Sequence, residues 1–259
     1  MTFAYIALGL FILLAYTAEA VTGFGSIVIA LSLGALLFPI DWLQTVLVPL
    51  NICMTGFLSW KHRRFIDKAL LLKLVLPFMF VGTLAGLALQ PLLGGIALKI
   101  SFAVLILWFS IRELLKLRAP ANGMVSSVQR VIGGERTLLT QLLVAAAGIT
   151  HGLFASGGPL LVYALAGTAL DKARFRATLI VVWFSLNSAL TAVFFVQGRL
   201  AHSGLTLLYY LPLIPIGIVL GEYLHHRIDE QNFRRWIYRL LVIAALALLL
   251  ATLLSLSQK

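Results

Sequence analysis

The chain reads as ten apolar runs separated by short polar stretches. Five fall in each half: 3–21, 26–38, 43–60, 70–90 and 95–115, then 137–153, 158–169, 177–196, 205–223 and 236–255. Most are close to the length at which a helix crosses a hydrocarbon core of ~30 Å. The second run of each half is short, at 13 and 12 residues. Ten full crossings therefore compete with eight full helices plus two broken or re-entrant stretches.

The pattern repeats. Gly25 aligns with Gly157 at an offset of 132, which sets Glu19 against His151. Asn51 and Thr55 align with Asn187 and Thr191 at 136, and Pro77, Gly82 and Gly86 with Pro212, Gly217 and Gly221 at 135. An odd number of segments per copy places the second copy upside down relative to the first. The expected fold is an all-α integral membrane protein of two inverted five-segment repeats. It has 8–10 transmembrane segments, with Gly-rich helix breaks near the middle of the membrane. Residues 1–118 form the first repeat, 119–136 a cytoplasmic linker and 137–259 the second repeat.

Composition agrees with this reading. Hydrophobic residues make up 61% of the 259 positions and charged ones 11%, too few to coat a soluble domain. The net charge of +11 would suggest a nucleic-acid partner if the cations formed a surface. They do not: fifteen of the 20 Lys and Arg sit in or beside four polar stretches, at 61–68, 112–136, 172–176 and 227–235. Arg199 and Lys259 fall on the other side, while Lys73, Lys99 and Arg239 lie near the ends of runs. That partition puts the basic loops in the cytoplasm and both termini in the periplasm. Trp42, Trp60 and Trp236 lie at run ends, as interfacial anchors do. Ala18-Glu19-Ala20 resembles a signal-peptide cleavage site, but no Lys or Arg precedes the first run, so cleavage is not expected. The single cysteine, Cys53, excludes a disulfide framework within the chain and a Cys-based metal site.

The candidate chemistry lies where the first segment of each half stops. Half one has Thr22-Gly23-Phe24-Gly25-Ser26, and half two has Gly152-Leu153-Phe154-Ala155-Ser156-Gly157-Gly158-Pro159. Glycine opens backbone conformations closed to other residues, and proline suits the first turn of a helix. Each motif therefore reads as a helix end, a turn and a new helix N-terminus. Unpaired N–H groups at such an N-terminus favour an anion and cannot face bare lipid. Thr22, Ser26 and Ser156 could add hydroxyl donors, and Asn51 and Asn187 amide donors. The blander alternative is that these glycines only let helices pack closely. The candidate substrate-binding residues are thus Thr22, Gly23, Phe24, Gly25, Ser26, Asn51, Ser156, Gly157, Gly158, Pro159 and Asn187. Glu19 and His151 are ionisable groups inside apolar runs and are the candidates for proton coupling, against a purely hydrogen-bonding role. Glu222, at the end of a run beside a basic loop, reads as interfacial.

At these motifs the chain resembles the sulfite exporter TauE/SafE family. The resemblance covers nearly the whole chain and rests on Gly23-Phe24-Gly25, on Gly152 with Ser156-Gly157-Gly158-Pro159, and on the later Pro and Gly pairs. Ser26 stands where family members often carry another glycine. The resemblance implies transport of small sulfur-containing or carboxylate anions across the inner membrane, commonly as export. Sulfite and organosulfonates such as sulfoacetate are the substrates it brings.

The function expected is a secondary transporter exporting such an anion, coupled to protons, with the anion held at two opposed helix N-termini. An anion channel and an importer of a sulfur-containing anion remain alternatives. A membrane enzyme is the weakest reading, because His62, His202, His225 and His226 fall in loops with no Cys or paired carboxylates nearby. No cofactor and no metal are expected. The partners expected are the anionic substrate and the lipid bilayer, with a homodimer left open and no nucleic acid.

Overall fold

The structure is a computed structural model that describes residues 2–118, 138–165, 170–225, 227 and 229–257. The linker at 119–136, with Arg130 and Arg136, lies outside the described residues, as do 166–169 of the run at 158–169, His226 and Lys259. The described residues are helical, with no strand among them. We label the helices α1 (Thr2–Thr22), α2 (Ser26–Gly34), α3 (Ile40–Lys61), α4 (Lys68–Leu92), α5 (Gly95–Arg118) and α6 (Leu138–Phe154). The remainder are α7 (Gly158–Ala164), α8 (Lys172–Val196), α9 (Gly204–Tyr210), α10 (Leu213–His225) and α11 (Glu230–Ser257). In hydrocarbon every backbone polar group needs a partner within the chain, and helices supply it segment by segment.

Seven spans among the described residues are long and apolar enough to cross a membrane, with α9 and α10 counted as the single span Gly204–Leu224. α6, with 17 residues, is about 25 Å long and nearly reaches. The two short runs fold as helices of only 9 and 7 residues, about 13 and 10 Å long, and neither crosses alone. This favours the re-entrant alternative over ten full crossings.

Each short helix turns back beside the longer helix before it. The ring of Tyr5, near the start of α1, lies 5.3 Å from that of Phe38, just past α2, and 6.0 Å from that of Trp42 at the start of α3. Both ends of the α1–α2 hairpin therefore reach the same face. In half two, Arg112 near the end of α5 sits 4.0 Å over the ring of Tyr163 near the end of α7. That places the end of α7 at the opposite face, with the basic loops.

Helix ends and irregularities follow from sequence. Asp67 and Asp171 cap α4 and α8 by accepting from the N–H of Leu70 at 2.9 Å and of Arg174 at 2.8 Å. Pro49 within α3 has no N–H to give to the carbonyl of Thr45, and that oxygen instead faces the hydroxyl of Ser203 at 3.4 Å. A π-helical stretch, Leu71–Val75, precedes Pro77 in α4, and a turn at Leu211 and Pro212 divides α9 from α10.

The halves interlock. α1 packs on α10, α4 on α6, α3 on α8 and α5 on α11. Glycine sets the closest approaches. A Cβ on Gly82 or Gly86 would overlap the carbonyl oxygens of Ala145 and Ile149, and one on Gly148 or Gly152 those of Met79 and Thr83. On the other side Gly217 faces Tyr16 and Gly221 faces Ala20 and the Thr17 carbonyl. The sequence offsets of 132 and 135 carry Tyr16 onto Gly148, Ala20 onto Gly152, Gly82 onto Gly217 and Gly86 onto Gly221. One crossing thus maps onto the other, contact by contact.

Candidate functional site

α1 ends at Thr22, whose hydroxyl donates to the Ala18 carbonyl at 2.8 Å. The chain then turns through Gly23 at φ +84° and Gly25 at φ +102°, the left-handed region that glycine reaches without strain. The stem of Arg176 lies where a Gly23 side chain would be, and its guanidinium donates to the Ala20 carbonyl. In half two the equivalent turn is made by Ala155, a non-glycine at φ 53°. The end of α6 is held by two amides: Gln44 and Gln90 donate to the Leu153 carbonyl at 2.7 and 3.2 Å. Last-turn carbonyls of α1 and α6 that lack helical partners are thus paired within the protein.

The two breaks meet in the middle. Asn51 sits about 16 Å along α3 from Ile40, and about 15 Å from Lys61 at its other end. Its amide donates to the Glu19 carboxylate at 3.0 Å and the Ser26 hydroxyl at 2.8 Å, and its carbonyl oxygen accepts from Asn187 at 2.6 Å. The Ser26 N–H, first of α2, donates to the same carboxylate oxygen of Glu19 at 3.2 Å. One chain of hydrogen bonds therefore runs from Glu19 in half one to Asn187 in half two. It borders a cavity of about 20 Å³ lined by Glu19, Gly25, Ser26, Asn51, Ser156, Gly158, Trp183 and Asn187, among others. Such a space admits about one water molecule.

Three buried polar atoms at this cavity have no protein partner: the Ser156 hydroxyl, the Trp183 indole N–H and the Asn187 carbonyl oxygen. His151 is fully buried behind them, its ring stacked 5.9 Å from that of Trp183, and neither of its ring nitrogens has a partner. Leaving buried polar groups unpaired costs ~1–3 kcal/mol each. Four such residues side by side mark a place where a hydrogen-bonding guest would be stabilised.

The sequence candidates are thus divided. Glu19, Gly25, Ser26, Asn51, Ser156, Gly158 and Asn187 line the central cavity. Thr22, Phe24 and Pro159 line a neighbouring apolar space of about 30 Å³, which also touches Gly25. Gly23 lies beneath Arg176, and Gly157 packs against the Ala147 carbonyl and the Cβ of His151. A positive φ beneath the Arg176 stem accounts for Gly23, and close packing for Gly157. Trp183 escaped the sequence reading because a lone Trp in an apolar run reads as core. The signal available was its spacing, one helical turn before Asn187 on the same face of α8.

The comparison with known families agrees with this architecture. Residues 8–248 match the profile described as Sulfite exporter TauE/SafE, which covers both halves and both breaks. The chain belongs to the TauE/SafE family. A curated relative, the probable inner membrane transporter protein TsaS of Comamonas testosteroni, is 30% identical over 176 residues, spanning 67% of this chain and 69% of that protein. No solved structure matches the chain. As a TauE/SafE protein the chain is a multi-pass membrane transporter by family, and both the family and the relative are transporters, not enzymes.

Proposed function

We propose that this TauE/SafE protein is a secondary transporter of the inner membrane that exports a small sulfur-containing anion, sulfite or an organosulfonate. The observation that carries the reading is the central cavity, where both breaks converge on unpaired donors from Ser156 and Trp183. The exchange of crossings between halves supports an inverted-repeat arrangement, in which a site at the repeat interface is exposed alternately to either side. A cavity of about 20 Å³ is too small for a polyatomic oxyanion, so this state is a closed one and binding requires the breaks to part.

The geometry modifies the expectation of two empty helix N-termini. The start of α2 already serves the Glu19 carboxylate, and α7 is a single short stretch of 7 residues with Pro159 near its start. An incoming anion competes with Glu19 for the Ser26 N–H and the Asn51 amide. Two like charges ~4 Å apart at an effective dielectric near 20 repel by ~4 kcal/mol. Protonating Glu19 removes that repulsion, so anion and proton enter the site together, and export of the pair is driven by the anion's own outward gradient against the inward pull on the proton. His151, behind Trp183 at the other break, is the second proton carrier in this scheme.

Flux of sulfite and sulfoacetate through proteoliposomes at several pH values tests the scheme. An imposed proton gradient should drive accumulation in the wild type. Glu19→Gln should keep anion exchange while losing the proton drive, and His151→Gln should alter the pH profile. Accumulation indifferent to the gradient would favour the channel, and unaltered profiles in both variants would reduce the two residues to structural roles.

A further inference from the structure

The few cations on the face away from the basic loops are not scattered. α3 and α5 begin there, and α8 and α11 end there, around an open mouth of about 740 Å³. Two helix starts and two helix ends oppose one another, so their macrodipoles largely cancel and side chains decide the sign of the mouth. Those side chains are Lys99 and Arg199, against the one carboxylate of Asp41. Among the described residues no other charged side chain lines this space.

Arg199 is positioned but unsatisfied. Its guanidinium lies 4.3 Å over the Phe194 ring, with contacts only to the Gln90 side-chain oxygen at 3.4 Å and the Asp41 main-chain carbonyl at 3.3 Å. Five donors therefore meet two distant neutral acceptors. Half-burial pulls its pKa below the ordinary arginine value, with the Asp41 charge pulling the other way. Lys99 is half-buried and lines the same mouth, and neither cation forms an ion pair with a carboxylate among the described residues. Partly desolvated cations facing one cavity gain from an anion that carries several acceptor oxygens.

We propose that this mouth is a second anion site, separate from the central cavity, which takes a sulfonate or similar oxyanion head group between Lys99 and Arg199. Gln90 joins the two regions: its oxygen meets Arg199, while its amide bridges the Gln44 side chain at 2.7 Å and the Leu153 carbonyl at the second break. An anion that draws Arg199 away from Gln90 acts on the hydrogen bonds that hold that break.

The test does not depend on transport. Ser255 lines the mouth, so Ser255→Cys is made in a Cys53→Ser background. Its labelling is timed with an anionic thiol reagent, methanethiosulfonate ethylsulfonate, and with a cationic trimethylammonium analogue. At low salt the anionic reagent should react about tenfold faster relative to the cationic one than the two do with a free thiol in solution. Millimolar methanesulfonate should slow the labelling, and high salt should return the ratio to its solution value. Lys99→Glu should invert the preference, and Arg199→Gln should weaken it severalfold and abolish protection by methanesulfonate. A ratio unchanged in both variants, or labelling that methanesulfonate does not slow, overturns the proposal. Because the central cavity plays no part in this readout, failure of the transport scheme would leave it intact.

Discussion

At the scale of single residues, the two breaks solve the same turn with different chemistry. Gly25 has φ +102° and open space around its Cα, whereas Ala155 holds φ 53° against a side-chain penalty. A non-glycine in the left-handed region costs ~1–2 kcal/mol, partly offset by the greater chain entropy of glycine. Ala155→Gly should therefore raise the melting temperature by roughly 1–4 °C, and Gly25→Ala should lower it by a similar amount, read by thermal unfolding in detergent. At the cavity, Trp183→Phe removes an unpaired indole N–H while keeping most of the ring. If that N–H donates to the anion, affinity by calorimetry should fall by ~1.5–3 kcal/mol, with the fold retained. Ser156→Ala should cost ~1.5–3 kcal/mol on the same footing. The sequence singled out Glu19 as a costly ionisable group beside the first break, Ser26 as a hydroxyl within that break, and Asn51 and Asn187 as amides at matched mid-run positions. Gly157 shows the limit of that reading. Its pairing with Gly25 suggested a shared backbone role, yet only Gly25 has a positive φ, and Gly157 is needed for contact with the Ala147 carbonyl.

At the scale of elements, apolar run length anticipated the long helices and marked the two short runs as marginal for a crossing, though not where their helices stop. The runs at 26–38 and 158–169 gave α2 and α7, which stop at Gly34 and Ala164. Apolar character does not mark where a helix stops: Leu36 and Leu37, past the end of α2, are exposed and as apolar as the helix before them. What the sequence did carry was the helix crossings, through glycines spaced four apart. At the α4–α6 crossing, glycine meets backbone on both sides, so Gly148→Val forces two main chains apart. That overpacking should cost more than ~3 kcal/mol and abolish monodisperse protein in size-exclusion chromatography. Gly217→Ala, which meets the Cβ of Tyr16 across α1, should cost less, about 1–3 kcal/mol. Gly94→Ala is the control, since nothing lies within 4 Å of the added methyl and no φ strain is involved. Equal stability in all three variants would show that close helix approach does not hold the halves together.

At the scale of the whole molecule, the paired crossings and the charge partition bear on the same question, which is how the protein lies in the membrane. The hydrogen bond between Asn51 and Asn187 joins equivalent positions of the two halves, as residues on a two-fold pseudo-axis do. In the inverted arrangement proposed above, where α1 and α6 enter from opposite faces, such an axis lies in the membrane plane. That opposition is the inverted arrangement proposed above, and charge decides which face it turns to the cytoplasm. Loops rich in Lys and Arg stay inside, and here they include Lys61 and Arg64 at the end of α3, with Lys61 paired to Glu222 at the end of α10. An exposed pair of this kind adds little stability. Its value here is as a marker that both helix ends share one face. In cells carrying Cys53→Ser, an impermeant thiol reagent added outside should label Gly94→Cys at the mouth face and leave Arg64→Cys unlabelled. After permeabilisation Arg64→Cys should label fully. The reverse pattern would place both termini in the cytoplasm and turn the mouth at Lys99 and Arg199 inward. For an exporter, the mouth would then be where the anion enters instead of where it leaves.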